Sequence, residues 1–366
     1  MAASSGERPA PFFSIVMPCY GVEPYIAHAI ECVEAQTEGS WELIVVDDAT
    51  PDASVAVVER AMSDDARIRV VRHERNLGLA EARNTGISHA RGRYVWICDP
   101  DDTYEPDLLA RARRALEATR ADVCLFGYCE EYYDETGAFM YRNDLPLEEG
   151  AYPVPQDWHG RVIGWESSTH FGYAWNKMYR RELVAEHGLK FETVRLIEDV
   201  LFNVDYFARA ASVAVLSGTP YHYAKRKGSS LTNANAYGAH EYFGLHVRRV
   251  SALRTLLQSW DALDDFTLGV LGGLYGRYVL SALERACYPR EGLSHADRIA
   301  WCRTILDTGL SRELLPVACG QGSRALGMGL AVLKTGRPAP CVAFARAIYL
   351  VHVKAYGVFT RLRSGR

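Results

Sequence analysis

The sequence predicts an α/β fold: a mostly parallel, Rossmann-like sheet flanked by helices, followed by a helical C-terminal region. Three observations predict it. Short apolar runs alternate with amphipathic helical patterns through the first third of the 366 residues, the mark of repeated strand–helix–strand units. From about residue 238 the strand pattern gives way to long stretches of helical period, rich in Leu, Tyr and Arg. Carboxylates also stand just past the ends of successive predicted strands, the side of a parallel sheet where ligands bind.

The elements follow in order. Residues 14–17 form a strand candidate closed by Pro18, and Ile26, Ile30 and Val33 share one face of a helix over 23–36. Residues 43–46 form the next strand and run into Asp47 and Asp48; Thr50, Pro51 and Asp52 then open a helix. Residues 68–71 read as a third strand, 78–90 as a helix, and 94–98 as a fourth strand that runs into Asp99. A helix over 106–118 and a strand over 123–126 complete this part. Residues 130–217 are mixed and aromatic-rich, with a helix at 198–210. A polar stretch, Asn233 to Asn235, marks the expected boundary. The reading is a loose tail over 1–11, a catalytic domain over 12–233 and a helical region over 234–366.

Composition narrows the function. A net charge of −4 argues against general nucleic-acid binding. The charge is split, however. Residues 314–366 hold eight of the 41 Lys and Arg and no acid, leaving 33 bases against 45 acids, a net −12, elsewhere. None of the nine cysteines forms a C-x-x-C pair, which argues against a zinc ribbon and for reduced, buried thiols in a cytoplasmic protein. The eleven histidines show no metal-ligand spacing. The first residues lack the apolar core of a signal peptide, and no unbroken apolar run of 18 residues is present, so neither export nor a membrane-spanning helix is expected.

The motifs carry the chemistry. No G-x-G-x-x-G loop follows the first strand, where Cys19, Tyr20, Gly21 and Val22 stand. Phosphates are then best handled by a divalent cation held on carboxylates, since Mg²⁺ and Mn²⁺ prefer oxygen ligands. At this point the sequence resembles glycosyltransferase family 2, inverting enzymes of the GT-A fold. Four segments in order carry the resemblance: Ser14–Tyr20 (SIVMPCY), Val45–Asp48 (VVDD), Asn76–Asn84 (NLGLAEARN) and Asp99–Asp102 (DPDD).

The resemblance implies roles residue by residue. Asp48 would hydrogen-bond the donor's nucleobase, with Pro18 and Tyr20 lining the base pocket. Asn76 and Arg83 would support nucleotide and sugar. Asp99 and Asp101 match the D-x-D motif, with Asp101 as the direct ligand of Mn²⁺ or Mg²⁺, and Asp102 would contact the donor sugar. Asp199, in the acidic pair with Glu198, would be the catalytic base. Lys227 and Ser229 belong to a basic segment, residues 223–230, that would close over the diphosphate. The implied partners are a nucleoside-diphosphate sugar, a UDP-sugar in the first instance, and a hydroxyl acceptor, glycan or lipid-linked, in cell-envelope or polysaccharide synthesis.

Other readings stand beside these. Asp101 and Asp102 also suit turn or helix-capping positions, Glu198 and Asp199 a helix N-terminus, and residues 225–227 a solvated charged face. Asn176 and Lys177 match a family segment read first as structural. Asp99 to Thr103 also fits the D-x-D-x-T motif of haloacid-dehalogenase phosphatases, though three strand–helix units precede it. A non-catalytic nucleotide-sugar-binding module is the third reading. In the tail, Phe344, Ile348, Val351, Ala355, Val358, Phe359 and Leu362 share a helical face among Arg346, Lys354, Arg361 and Arg363. Such a helix over 341–366 either packs on the protein's own body or lies on an anionic membrane at the cytoplasmic face.

Overall fold

The computed structural model describes residues 10–226 and 237–354. These divide into two compact units, one of residues 10–158 with 168–226 and one of residues 159–167 with 237–354. The boundary expected at Asn233 to Asn235 falls outside the described residues, as do Lys227, Ser229 and the tail from Ala355 onward.

The first unit contains β1 (Phe13–Cys19), α1 (Glu23–Glu34), β2 (Trp41–Asp47), α2 (Ser54–Asp64), β3 (Ile68–Arg72), α3 (Leu79–His89), β4 (Tyr94–Ile97), β5 (Thr103–Tyr104), α4 (Leu108–Thr119), β6 (Val123–Tyr133), β7 (Phe139–Leu145) and β8 (Gly150–Tyr152). After α5 (Val162–Ser167), which belongs to the second unit, come β9 (Lys177–Arg180), α6 (Arg181–Glu186), α7 (Glu198–Phe207) and β10 (Val213–Arg226). The strands form one sheet in the order β3-β2-β1-β4-β9-β6-β10-β5, with β7 beside β6 and β8 beside β10.

Every residue of β1 and β2 is buried, as expected of parallel strands covered on both faces. The sheet is mixed rather than mostly parallel. β1 pairs in parallel with β2 and β4, and β6 with β10, but β9 runs antiparallel to both β4 and β6. The sequence hides this because β9 has four residues and begins with Lys177, so no apolar run announces it. Lys177 is fully buried, and its Nζ donates to the carbonyls of His170 and Tyr173 and to Asn176 Oδ1. Those hydrogen bonds offset part of the cost of burying an ammonium. The structural reading of Asn176 and Lys177 is what the geometry supports.

Two features aim side chains at the carboxyl ends of the strands. α3 lies on β1 through Gly86, where a Cβ would sit 2.2 Å from Val16 Cγ1. That close approach fixes Arg83, three residues earlier on the same helix. An aromatic stack underlies the same end, with Trp175 parallel to Tyr221 at 4.4 Å and to Tyr173 at 4.6 Å. Tyr128 and Trp175 are buried core residues, and Tyr173 and Tyr223 are half-buried.

The second unit is helical: α5 with α8 (Ala239–Ser259), α9 (Asp265–Arg285), α10 (His295–Leu306), α11 (Gly309–Val317), α12 (Arg324–Lys334) and α13 (Pro338–Lys354). Between α8 and α9 the helical pattern breaks at Asp261, whose φ is 54°. The chain restarts at Asp264, whose side chain accepts the Thr267 N–H as a helix cap. Among the described residues, α9 is long and apolar enough to cross a membrane by length and composition alone. It passes at a mean hydropathy of 1.2 although glycine and tyrosine interrupt its apolar run, and 78% of that window is buried inside the protein. This is the burial of a core helix.

Candidate active site

β4 ends at Ile97, and three aspartates follow before β5 begins at Thr103. Asp99 and Asp101 reach solvent, with side chains 25% and 36% exposed. Asp102 does not. The Tyr221 hydroxyl donates to its Oδ2 at 2.6 Å and the Ala224 N–H to its Oδ1 at 2.8 Å, and the residue is 1% exposed. Both oxygens of Asp102 are thus engaged by β10. The Tyr221 hydroxyl also accepts the Asp99 N–H at 3.4 Å. Arg226, at the end of β10, donates to the Asp101 carbonyl at 2.9 Å, and its guanidinium lies 3.7 Å from the Asp101 carboxylate. One strand thus holds all three aspartates.

A second arm comes from α3 and α7. Arg83 is buried, and its guanidinium meets three carboxylates: Asp199 in a short ion pair, Glu198 at 3.3 Å and Asp99 at 3.5 Å. The other Asp199 oxygen accepts the Ala174 N–H at 3.0 Å. Glu198 Oε2 is buried with no hydrogen-bond partner among the described residues. Arg83 thus joins the D-x-D segment to the acidic pair.

Four carboxylates here face the guanidiniums of Arg83 and Arg226, with Asp102 close behind them. Burial, opposed by Arg83 and reinforced by Asp101, pushes the Asp99 carboxyl up to about 6. Burial and the Asp199 charge push Glu198 up to about 7 against the pull of Arg83. Asp101 is raised by burial despite Arg226. Burial works against the charge on Arg83, yet Asp199, Asp99 and Glu198 together raise its proton affinity. A cluster of hard oxygen donors with surplus negative charge and two solvent-reaching members, Asp99 and Asp101, fits a divalent cation such as Mn²⁺ or Mg²⁺.

The expected base-binding segment is arranged differently. Asp48 is buried, and its carboxylate accepts the Leu77 N–H at 2.7 Å and the Gly78 N–H at 2.8 Å, with His73 Nδ1 at 2.7 Å. Asp48 therefore pins the loop that leads into α3. Gly78 takes φ of 91°, a left-handed conformation that glycine adopts without strain. Pro18 is buried in β1 opposite Val46, while Tyr20 and Asn76 are exposed. The sequence pointed to Arg83, Asp99, Asp101 and Asp199, which the structure brings together. It missed Tyr221 and His73, whose partners lie 119 and 25 residues away.

The family model for glycosyl transferase family 2 matches residues 14–188. The glycosyltransferase GlyG of Streptococcus pneumoniae is 30% identical over 222 residues, which cover 59% of this chain and 71% of GlyG. This chain belongs to glycosyl transferase family 2. Another relative, the uncharacterized glycosyltransferase EpsJ of Bacillus subtilis, is 34% identical over 222 residues. That match covers 60% of this chain and 62% of EpsJ, so the chain spans under two thirds of that relative's length. In fold it is similar to S. aureus TarS 1–349, solved in complex with UDP-GlcNAc, with a TM-score of 0.60 at 18% identity over 93% of this chain and 91% of that one. The fold is thus the α/β architecture of a family 2 glycosyltransferase, with its helical C-terminal region.

Proposed function

We propose that this family 2 protein is a metal-dependent, inverting glycosyltransferase that moves a sugar from a nucleoside-diphosphate donor to an acceptor hydroxyl. One observation carries the reading. Arg83 ion-pairs at once with Asp99 of the strand-end motif and Asp199 of the acidic pair, so two motifs about a hundred residues apart form a single site. TarS, whose fold this chain shares, was solved with UDP-GlcNAc, which makes uridine donors the first to test.

In this reading Asp99 and Asp101 would hold Mn²⁺ or Mg²⁺, whose charge counters that of the diphosphate as it leaves. Arg226 lies beside Asp101 within the basic segment of residues 223–230, which would supply further positive charge to the phosphates. Asp199 takes the proton from the acceptor hydroxyl, its orientation fixed by Arg83 and the Ala174 N–H. A single displacement inverts the anomeric carbon, and no covalent sugar–enzyme species is needed. One feature favours a second assignment of the base: Glu198 has an unpartnered oxygen and a carboxyl pushed up to about 7, where a general base is well poised.

Asp101→Ala tests the metal site. Transfer falls by about 10²-fold or more, as for loss of a main electrostatic contributor, while circular dichroism stays unchanged and donor binding no longer responds to Mn²⁺. Undiminished wild-type turnover in EDTA contradicts the assignment.

A further inference from the structure

β6 and β10 run parallel, with His222 opposite Cys129 and Ala224 opposite Glu131. Residues two apart in a strand share a face, and paired residues point the same way. Cys129, Glu131 and His222 therefore stand together on one face, and their ligand atoms lie within 4.8 Å of one another. Among the described residues, no hydrogen bond or ion pair joins the three to the aspartates described above. Cys129 is fully buried, and the side chains of Glu131 and His222 are 17% and 18% exposed.

We propose that Cys129 Sγ, Glu131 Oε1 and His222 Nδ1 form a binding site for a borderline transition-metal cation of the Zn²⁺ class, separate from the hard-cation site at Asp99 and Asp101. The donor set selects that class: sulfur and imidazole suit Zn²⁺, whereas Mg²⁺ and Mn²⁺ favour oxygen alone. The spacing fits as well. Zn–S bonds of about 2.3 Å and Zn–N and Zn–O bonds of about 2.0 Å in a tetrahedron place ligand atoms ~3.3–3.5 Å apart. His222 Nδ1 is 3.3 Å from Glu131 Oε1, and small side-chain rotations bring the sulfur into the same range.

The outer partners are arranged as metal ligands require. Glu105 Oε1 lies 3.1 Å from His222 Nε2, which leaves Nδ1 as the ligating nitrogen. The Tyr133 hydroxyl donates to Glu131 Oε2 at 2.7 Å, which leaves Oε1. Such outer-shell partners fix the tautomer and the orientation of first ligands. Arg142 on β7, the nearest competing cation on the neighbouring strand, is itself paired with Asp144 at 2.6 Å. Burial pushes the Cys129 thiol up to about 12, so binding proceeds with loss of its proton to solvent as the S–metal bond forms. A cation here ties β6 to β10, the strand whose Tyr221, Ala224 and Arg226 hold the three aspartates. It acts as a positioning element for the sugar-transfer site and not as part of it.

Co²⁺ is the probe. The full chain, stripped of metal and kept in excess Mg²⁺ to fill oxygen-ligand sites, is titrated with Co²⁺ alone. The expected result is one equivalent bound with a near-ultraviolet thiolate-to-cobalt band that Zn²⁺ abolishes. Cys129→Ser removes the band with an unchanged circular-dichroism spectrum, Glu105→Gln weakens binding about 10–100-fold, and Asp101→Ala keeps the band. A wild-type chain that gives no band, or a band that survives in Cys129→Ser, overturns the proposal. Failure of sugar transfer with the band intact contradicts only the active-site reading.

Discussion

Arg83 is the residue on which the site turns, because its one guanidinium neutralises carboxylates from two distant segments. Asp199 has both oxygens held, and Glu198 has one oxygen free of partners. The two acids therefore separate by substitution. Asp199→Asn lowers turnover by about 10²–10⁴-fold with donor affinity nearly unchanged, the usual scale for a lost general base, and Glu198→Gln costs less; the reverse order in steady-state kinetics moves the base to Glu198. His246 offers an independent check on the second unit. It stacks on Tyr278 at 3.8 Å, and burial, with Arg249, Arg277 and Arg285 nearby, pushes it down to about 2. The unfolded chain takes up this proton first, near pH 6.5, so stability holds above that pH and falls on acidification by on the order of 1 kcal/mol per pH unit. In urea melts across pH 4–7, His246→Phe flattens that slope; an unchanged slope contradicts a neutral buried His246. At this scale the sequence disclosed the acids and Arg83 because each sits in a short local motif. It could not disclose which oxygens of Asp48 and Asp102 are engaged, since their donors come from other elements.

At the scale of elements, strands were legible where they formed apolar runs and hidden where they did not. β1 to β4 were read within a residue or two. β9, with its buried Lys177, and β10, whose second half is the polar sequence His222 to Arg226, were not. The same limit applies to α13. The sequence placed Phe344, Ile348 and Val351 on its apolar face, but the buried residues are Cys341, Val342 and Ala345, with Phe344 and Ile348 half-buried and Leu350, Val351 and Val353 exposed. His352 meets Glu284 of α9 at 2.9 Å, and Tyr349 packs on Tyr288. α13 is thus part of the second unit's core. Truncation after Pro340 removes several apolar side chains, each worth about 1.5–3 kcal/mol when fully buried, from a total stability of about 5–15 kcal/mol. The shortened chain aggregates in size-exclusion chromatography. A monodisperse product that has lost co-flotation with anionic liposomes would instead favour the membrane-surface reading of residues 341–366.

For the whole molecule, the alternation of strands and helices gave the α/β class, and the run of helical period gave the C-terminal region. The mixed character of the sheet and the assignment of residues 159–167 to the second unit depend on long-range packing that no local pattern encodes. The His222 cluster escaped notice for the same reason: its ligands are brought together by β6–β10 register and have no spacing in sequence. The central claim is that the converged carboxylates serve metal-dependent transfer from a nucleotide sugar. The direct measurement is release of nucleoside diphosphate from a panel of UDP-, GDP- and other nucleotide sugars, run with Mn²⁺ and with EDTA. The account predicts metal-dependent release from at least one donor, lost in Asp101→Ala. Donor binding without release from any donor, release undiminished in EDTA, or hydrolysis of a generic phosphate ester in place of sugar transfer would contradict it.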